Sequence, residues 1–446
     1  MTFLQPVALL IFFAAFATYF NHRFFKLPPA IGITLFSSLS ALLLIAVNRT
    51  VNLPIDQITP LMKEFDFHGF LLHGILAFLL FAGATKVDVS AIKKWTAPIS
   101  FLATFGVVIS AFVCGITLWG FVHLLNYTGL VNVHLPLAWA FLFGALIAPT
   151  DPIAALGIVK EIKAPKKLEL KLVGESLFND GTGVVVFLAI LGYLQGYDQT
   201  MFSVSVMLVQ ELIGGVLLGL AVGAVFYYPL KTSHDYPVVV LLTLASATGS
   251  YALAEAIHVS APICTVVAGL FIGHKMKSAL SDESRHHVDS FWEFVDEMLN
   301  ACLFALMGLE LLVIKLEWNY MIVGVIAFIC TIIGRFAGVI LSLLPFRKRI
   351  LKGTIPIISW GGMRGGISLA LALSIAIPGA VETELAQFII AITFVSVILS
   401  SLGQGLTLKH VVQYYHKPEP VSSETPAAEI QTVDNNETKK IEDESF

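Results

Sequence analysis

The run Gly174-Glu175-Ser176-Leu177-Phe178-Asn179-Asp180-Gly181 places two acids, an amide and a hydroxyl inside an otherwise apolar stretch. On a helix, Glu175 and Asn179 are one turn apart, as are Ser176 and Asp180, so the four share one broad face. A single polar residue at such a place reads as a hydrogen bond between packed helices. Four together, two of them carboxylates, ask for more than packing. Carboxylate, hydroxyl and amide oxygens are hard donors that suit an alkali cation. A lone carboxylate can hold either a cation or a proton, and competition between the two for Asp180 becomes exchange if only one loaded state crosses at a time.

Two further runs carry groups of the same kind. Ala148-Pro149-Thr150-Asp151-Pro152 ends an apolar stretch. Each proline lacks an N–H and clashes with the carbonyl one turn earlier, so the pair should interrupt a helix. The freed carbonyls, with Thr150 and Asp151, can then face a polar cavity, the setting in which irregular backbone survives at membrane depth. Gly361-Gly362-Met363-Arg364-Gly365-Gly366 is the second weak point, four glycines around one arginine. A buried Arg364 keeps its charge and needs a carboxylate or carbonyl partner, with Glu175 the first choice and Asp151 the second. Arg335, in Gly334-Arg335-Phe336, needs a partner for the same reason and reads as structural. Glu255 and Glu310 fall near the outer ends of apolar stretches and read as interfacial.

The elements that hold these residues must lie in lipid. Of 446 residues, 57% are hydrophobic and 13% charged, and the mean hydropathy is +0.83. Soluble chains of this size are about one-quarter charged. The net charge of −4 comes with no basic cluster dense enough for nucleic acid. Cys114, Cys264, Cys302 and Cys330 all sit in apolar stretches, as reduced packing residues do. The first apolar stretch follows Met1 with no basic region before it, so it is expected to stay as a helix.

At roughly 20 apolar residues per crossing, about thirteen spans are expected. They fall near 4–20, 29–47, 68–85, 97–123, 136–158, 169–194, 203–228, 236–256, 261–274, 292–313, 319–344, 354–376 and 384–408. Basic residues gather in alternate loops, as in Lys160 to Lys171 and Arg347 to Lys352, whereas the other loops hold Arg49, Lys63 and Lys315. That bias puts the N-terminus outside and the C-terminus in the cytoplasm. The expected organisation is a transmembrane domain over 1–410 and a cytoplasmic tail over 411–446. The tail is rich in Pro, Ser, Thr, Asn and Glu and is expected to be disordered. The two interrupted spans sit seven spans apart, an odd offset, as in two inverted six-helix repeats with the first span extra.

These residues resemble the NhaP and sodium–hydrogen exchanger branch of the monovalent cation:proton antiporters. The likeness runs from about Pro6 to Val411 and rests on four pieces. They are Thr150-Asp151-Pro152, the run from Glu175 through Ser176 to Asn179 and Asp180, Gly334-Arg335-Phe336, and Gly362-Met363-Arg364-Gly365. The resemblance implies an all-α polytopic homodimer whose core and dimerisation subdomains move against each other. It implies electroneutral exchange of sodium or lithium for protons, for pH and sodium homeostasis, with no cofactor; the compact size and short tail look prokaryotic, so an inner membrane is expected. Asp180 would take cation or proton, with Ser176 and the Thr150 backbone as further cation ligands. Asp151 would lie nearby as ligand or brace, Glu175 would pair with Arg364, and Asn179 would brace the site.

Potassium is the alternative cation, because cavity size and ligand number decide between the two. An intramembrane aspartyl protease would need a Tyr-Asp signature within a span, but Tyr197-Asp198 lies in an expected outer loop. A channel would need a filter loop or a pore-lining ring, and the sequence offers neither. The chain therefore reads as a transporter and not an enzyme.

Overall fold

The computed structural model describes residues 4–51, 74–162, 166–195, 201–233, 235–314, 317–351, 353–375 and 383–415. Among them the chain is helical almost throughout, and the β-like feature is a single antiparallel bridge between Asp151 and Met363. The first helices are α1 (Leu4–Phe20), α2 (Pro29–Val51), α3 (Leu76–Thr85) and α4 (Val107–Tyr127). Next come α5 (Leu137–Leu146), α6 (Pro152–Glu161), α7 (Lys166–Leu194), α8 (Met201–Thr232), α9 (Tyr236–Ala256) and α10 (Ala261–Ala279). The last are α11 (Asp282–Leu309), α12 (Trp318–Leu343), α13 (Thr354–Gly361), α14 (Gly366–Ser374), α15 (Thr383–Leu399) and α16 (Gly405–Tyr415).

Among the described residues, eight helical segments are long and apolar enough to cross a membrane. Two of these are continuous only through a π turn, Leu102–Gly106 within Thr96–Tyr127 and Ser400–Gln404 within Glu384–Tyr415. Leu76–Thr85, Leu137–Leu146 and Ala261–Met276 are shorter apolar helices. The interruptions expected around Pro149 and Arg364 are present, between α5 and α6 and between α13 and α14.

One large core joins α4, α5, α7, α11, α12, α14 and α15, with α12 lying along α4 and α15. A second cluster joins α3, α9 and α10 and meets the first through Leu177 of α7. Ser176 and Asp180 therefore sit on α7 where these two clusters meet, and Thr150 and Asp151 lie in the break between α5 and α6.

Two expectations need correcting. The helix expected from 292 starts at Asp282, because its first turns are amphipathic and Ser281 caps them, accepting from the Ser284 amide at 3.3 Å. Lys171, expected in a loop, is fully buried in α7 with its ammonium 4.2 Å from the Trp95 ring centre, a cation–π contact that lets a lysine enter the core. Glu255 is exposed and Glu310 is 4% exposed. Helix α16 ends at Tyr415, and the expected tail beyond it lies outside the described residues.

Candidate functional site

The two broken helices are held against each other. Pro152 opens α6, where its missing N–H has no helical partner to lose and its fixed φ suits a first turn. The amide of Asp151 donates to the Met363 carbonyl at 2.8 Å, which joins the two breaks. Ends of four half-helices thus converge, α5 and α13 offering carbonyls, α6 and α14 offering amides. Arg364 meets the first kind: its Nη1 donates to Ala148 O at 2.6 Å and to Pro149 O at 3.3 Å. Asp151 meets the second kind, beside the start of α14. A Cβ on Gly365 would lie 2.9 Å from Asp151 Oδ2, so glycine is what lets the carboxylate come this close.

Helix α7 presents its polar face to this junction. Ser176 Oγ donates to the Thr150 carbonyl. Asn179 Nδ2 donates to Thr150 Oγ1 at 2.5 Å and to Glu175 Oε1 at 3.1 Å. With its proton spent on Thr150, Ser176 Oγ keeps lone pairs that can face a cation. Asp180 is 6% exposed, and its Oδ1 has no hydrogen-bond partner among the described residues. A buried carboxylate oxygen left in that state calls for a positive charge or a proton.

Glu175 pairs with Arg335 and not with Arg364. Nη1 and Nη2 of Arg335 each meet one carboxylate oxygen of Glu175 at 2.7 Å, a parallel two-point pair with both side chains buried. Arg335 Nη2 also lies 3.4 Å from Ile358 O. The expectation failed because the carbonyls freed at Pro149 satisfy a guanidinium as well as a carboxylate does. Gly362 leaves room for this arginine, since a side chain there would run into its guanidinium. Arg335 thus balances the charge of Glu175 in a buried pair.

Sequence reading missed the π turn Ser400–Gln404. Ser400 Oγ accepts from the Arg364 amide at 2.9 Å and donates to Gln404 Oε1 at 2.5 Å, while Ser401 Oγ donates to Arg364 O at 3.3 Å. All three side chains are buried. They satisfy the backbone that the broken helix leaves open. The signal was available: Ser400, Ser401 and Gln404 interrupt the apolar stretch at one-turn spacing.

Residues 10–414 match the family model described as sodium/hydrogen exchanger, transmembrane. The chain is 42% identical over 429 residues to the Na(+)/H(+) antiporter NhaP of Pseudomonas aeruginosa, covering 94% of this chain and 98% of that protein. It is 37% identical over 288 residues to the Na(+)/H(+) antiporter NhaH of Halobacillus aidingensis, covering 63% of this chain and 70% of that protein. The fold is shared with the sodium proton antiporter MjNhaP1 of Methanocaldococcus jannaschii at pH 8, with a TM-score of 0.74 and 21% identity, over 93% of this chain and 99% of that one. The order and spacing of the motifs, the crossed broken helices and these matches agree, and the chain belongs to the sodium/hydrogen exchanger transmembrane family.

Proposed function

We propose that this integral membrane protein exchanges sodium, or lithium, for protons, one proton per cation, and so serves pH and sodium homeostasis. The observation that carries the reading is Asp180, buried, with one carboxylate oxygen unsatisfied, one helical turn from Ser176, whose hydroxyl donates to the Thr150 carbonyl. Asp180 holds either the cation or the proton. Ser176 Oγ and the Thr150 backbone complete a set of hard oxygen donors, and Asp151 adds charge from the broken helix. Glu175, neutralised by Arg335, keeps its charge through the cycle, so one carboxylate titrates and exchange is electroneutral. Asn179 holds Glu175 and Thr150 in register. The names of the relatives above point to the same substrates.

The topology that goes with this reading has thirteen spans in two inverted repeats, with the N-terminus outside and the C-terminus in the cytoplasm of a prokaryotic inner membrane. The working unit is a homodimer in lipid, its core moving against a dimerisation subdomain. Purified protein in sealed vesicles with an internal pH dye tests the function. Sodium added outside should drive proton efflux, and Asp180→Asn should not. Potassium-driven without sodium-driven flux would change the substrate, and no flux with any alkali cation would refute exchange.

A further inference from the structure

A carboxylate inside the hydrocarbon layer is costly and marks function by default. Glu310 is a buried carboxylate outside the site described above. It is 4% exposed, and no hydrogen bond or ion pair to its carboxylate is found among the described residues. Its amide still donates to the Leu306 carbonyl, so the helical phase of α11 holds to this point. Glu310 therefore shares a face with Leu303, two turns earlier, roughly 10 Å at the helical rise. Leu303 closes on Gly366, the first residue of α14, and the preceding Gly365 lies against the Asp151 carboxylate. The face of α11 that carries Glu310 thus leads from the crossing of the broken helices toward the end opposite the basic loops. Helix α2 packs on α11 at Gly308, against Ser37 and Ser38, and also meets the turn Glu310–Leu312.

We propose that Glu310 is a staging site for a monovalent cation on the outer side of the exchange site. This rests on the antiporter reading and its orientation. A carboxylate in a low-dielectric wall raises the local concentration of cations and their rate of capture. Like Asp180, it is closed off in this conformation and would be reached when the packed bodies shift. Glu310 does not exchange the ion for a proton itself; it shortens the search of a cation for Asp180 from one side.

The test measures sodium-driven exchange in right-side-out and everted membrane vesicles, for the unaltered protein, Glu310→Gln and Glu310→Asp. Glu310→Gln should raise KM for sodium at the outer face about tenfold, the low end of such electrostatic focusing. Inner-face KM and turnover should hold, and Glu310→Asp should recover most of the outer affinity. An unchanged outer KM in correctly folded Glu310→Gln would overturn the proposal. So would an equal rise on both faces, or a loss of turnover alone, which a structural role gives. Absence of exchange in the unaltered protein would overturn the antiporter reading and this proposal with it.

Discussion

At the scale of single residues, the site is a sorting of charges by what each partner can satisfy. Arg364 is spent on helix-end carbonyls, Arg335 on Glu175, and Asp180 keeps a carboxylate oxygen with no partner among the described residues. Removing one member of a buried pair leaves an uncompensated charge and costs about 3–5 kcal/mol. Glu175→Gln should therefore lower the thermal midpoint in detergent sharply, and adding Arg335→Met should recover much of it. A double variant no more stable than either single one would argue against the pairing. The sequence showed which residues were too polar for lipid, because type and depth are local properties. It did not show which arginine meets which acid. Both arginines are one-dimensionally equivalent, and only the helix-end carbonyls of Ala148 and Pro149 give Arg364 a partner other than Glu175.

At the scale of elements, the broken helices and the π turn form one device. Prolines and glycines made the two breaks legible, since each has a backbone reason to stop a helix. The brace was harder to see, because Ser400, Ser401 and Gln404 read as ordinary polar residues until the backbone they hold is in place. Ser400→Ala removes the acceptor for the Arg364 amide, and an unsatisfied buried donor costs about 1–3 kcal/mol. It should raise KM for sodium and slow exchange, while Ser400→Thr restores both. Equal kinetics for Ser400→Ala and the unaltered protein would show that the brace is dispensable. Gly365→Ala would place a Cβ against Asp151 and should also weaken sodium binding, measured as KM in vesicles.

At the scale of the whole molecule, two packed clusters of helices meet along α7, with Asp180 on the helix they share. The membrane class and much of the helix order were legible from apolar stretches. The amphipathic start of α11 was not, because its exposed acids resemble a loop until the buried face is seen. If sodium and a proton compete for one carboxylate, KM for sodium should rise as pH falls, approaching about tenfold per pH unit on the acid side of its titration. Initial rates across pH at several sodium concentrations check this, and a KM independent of pH would rule competition out. The central claim is that Asp180 alone carries the exchanged charge. It is tested most directly by sodium-driven proton flux in vesicles containing unaltered protein or Asp180→Asn, both shown to be folded. The account predicts flux in the first and none in the second; sodium–proton exchange that survives Asp180→Asn would contradict it.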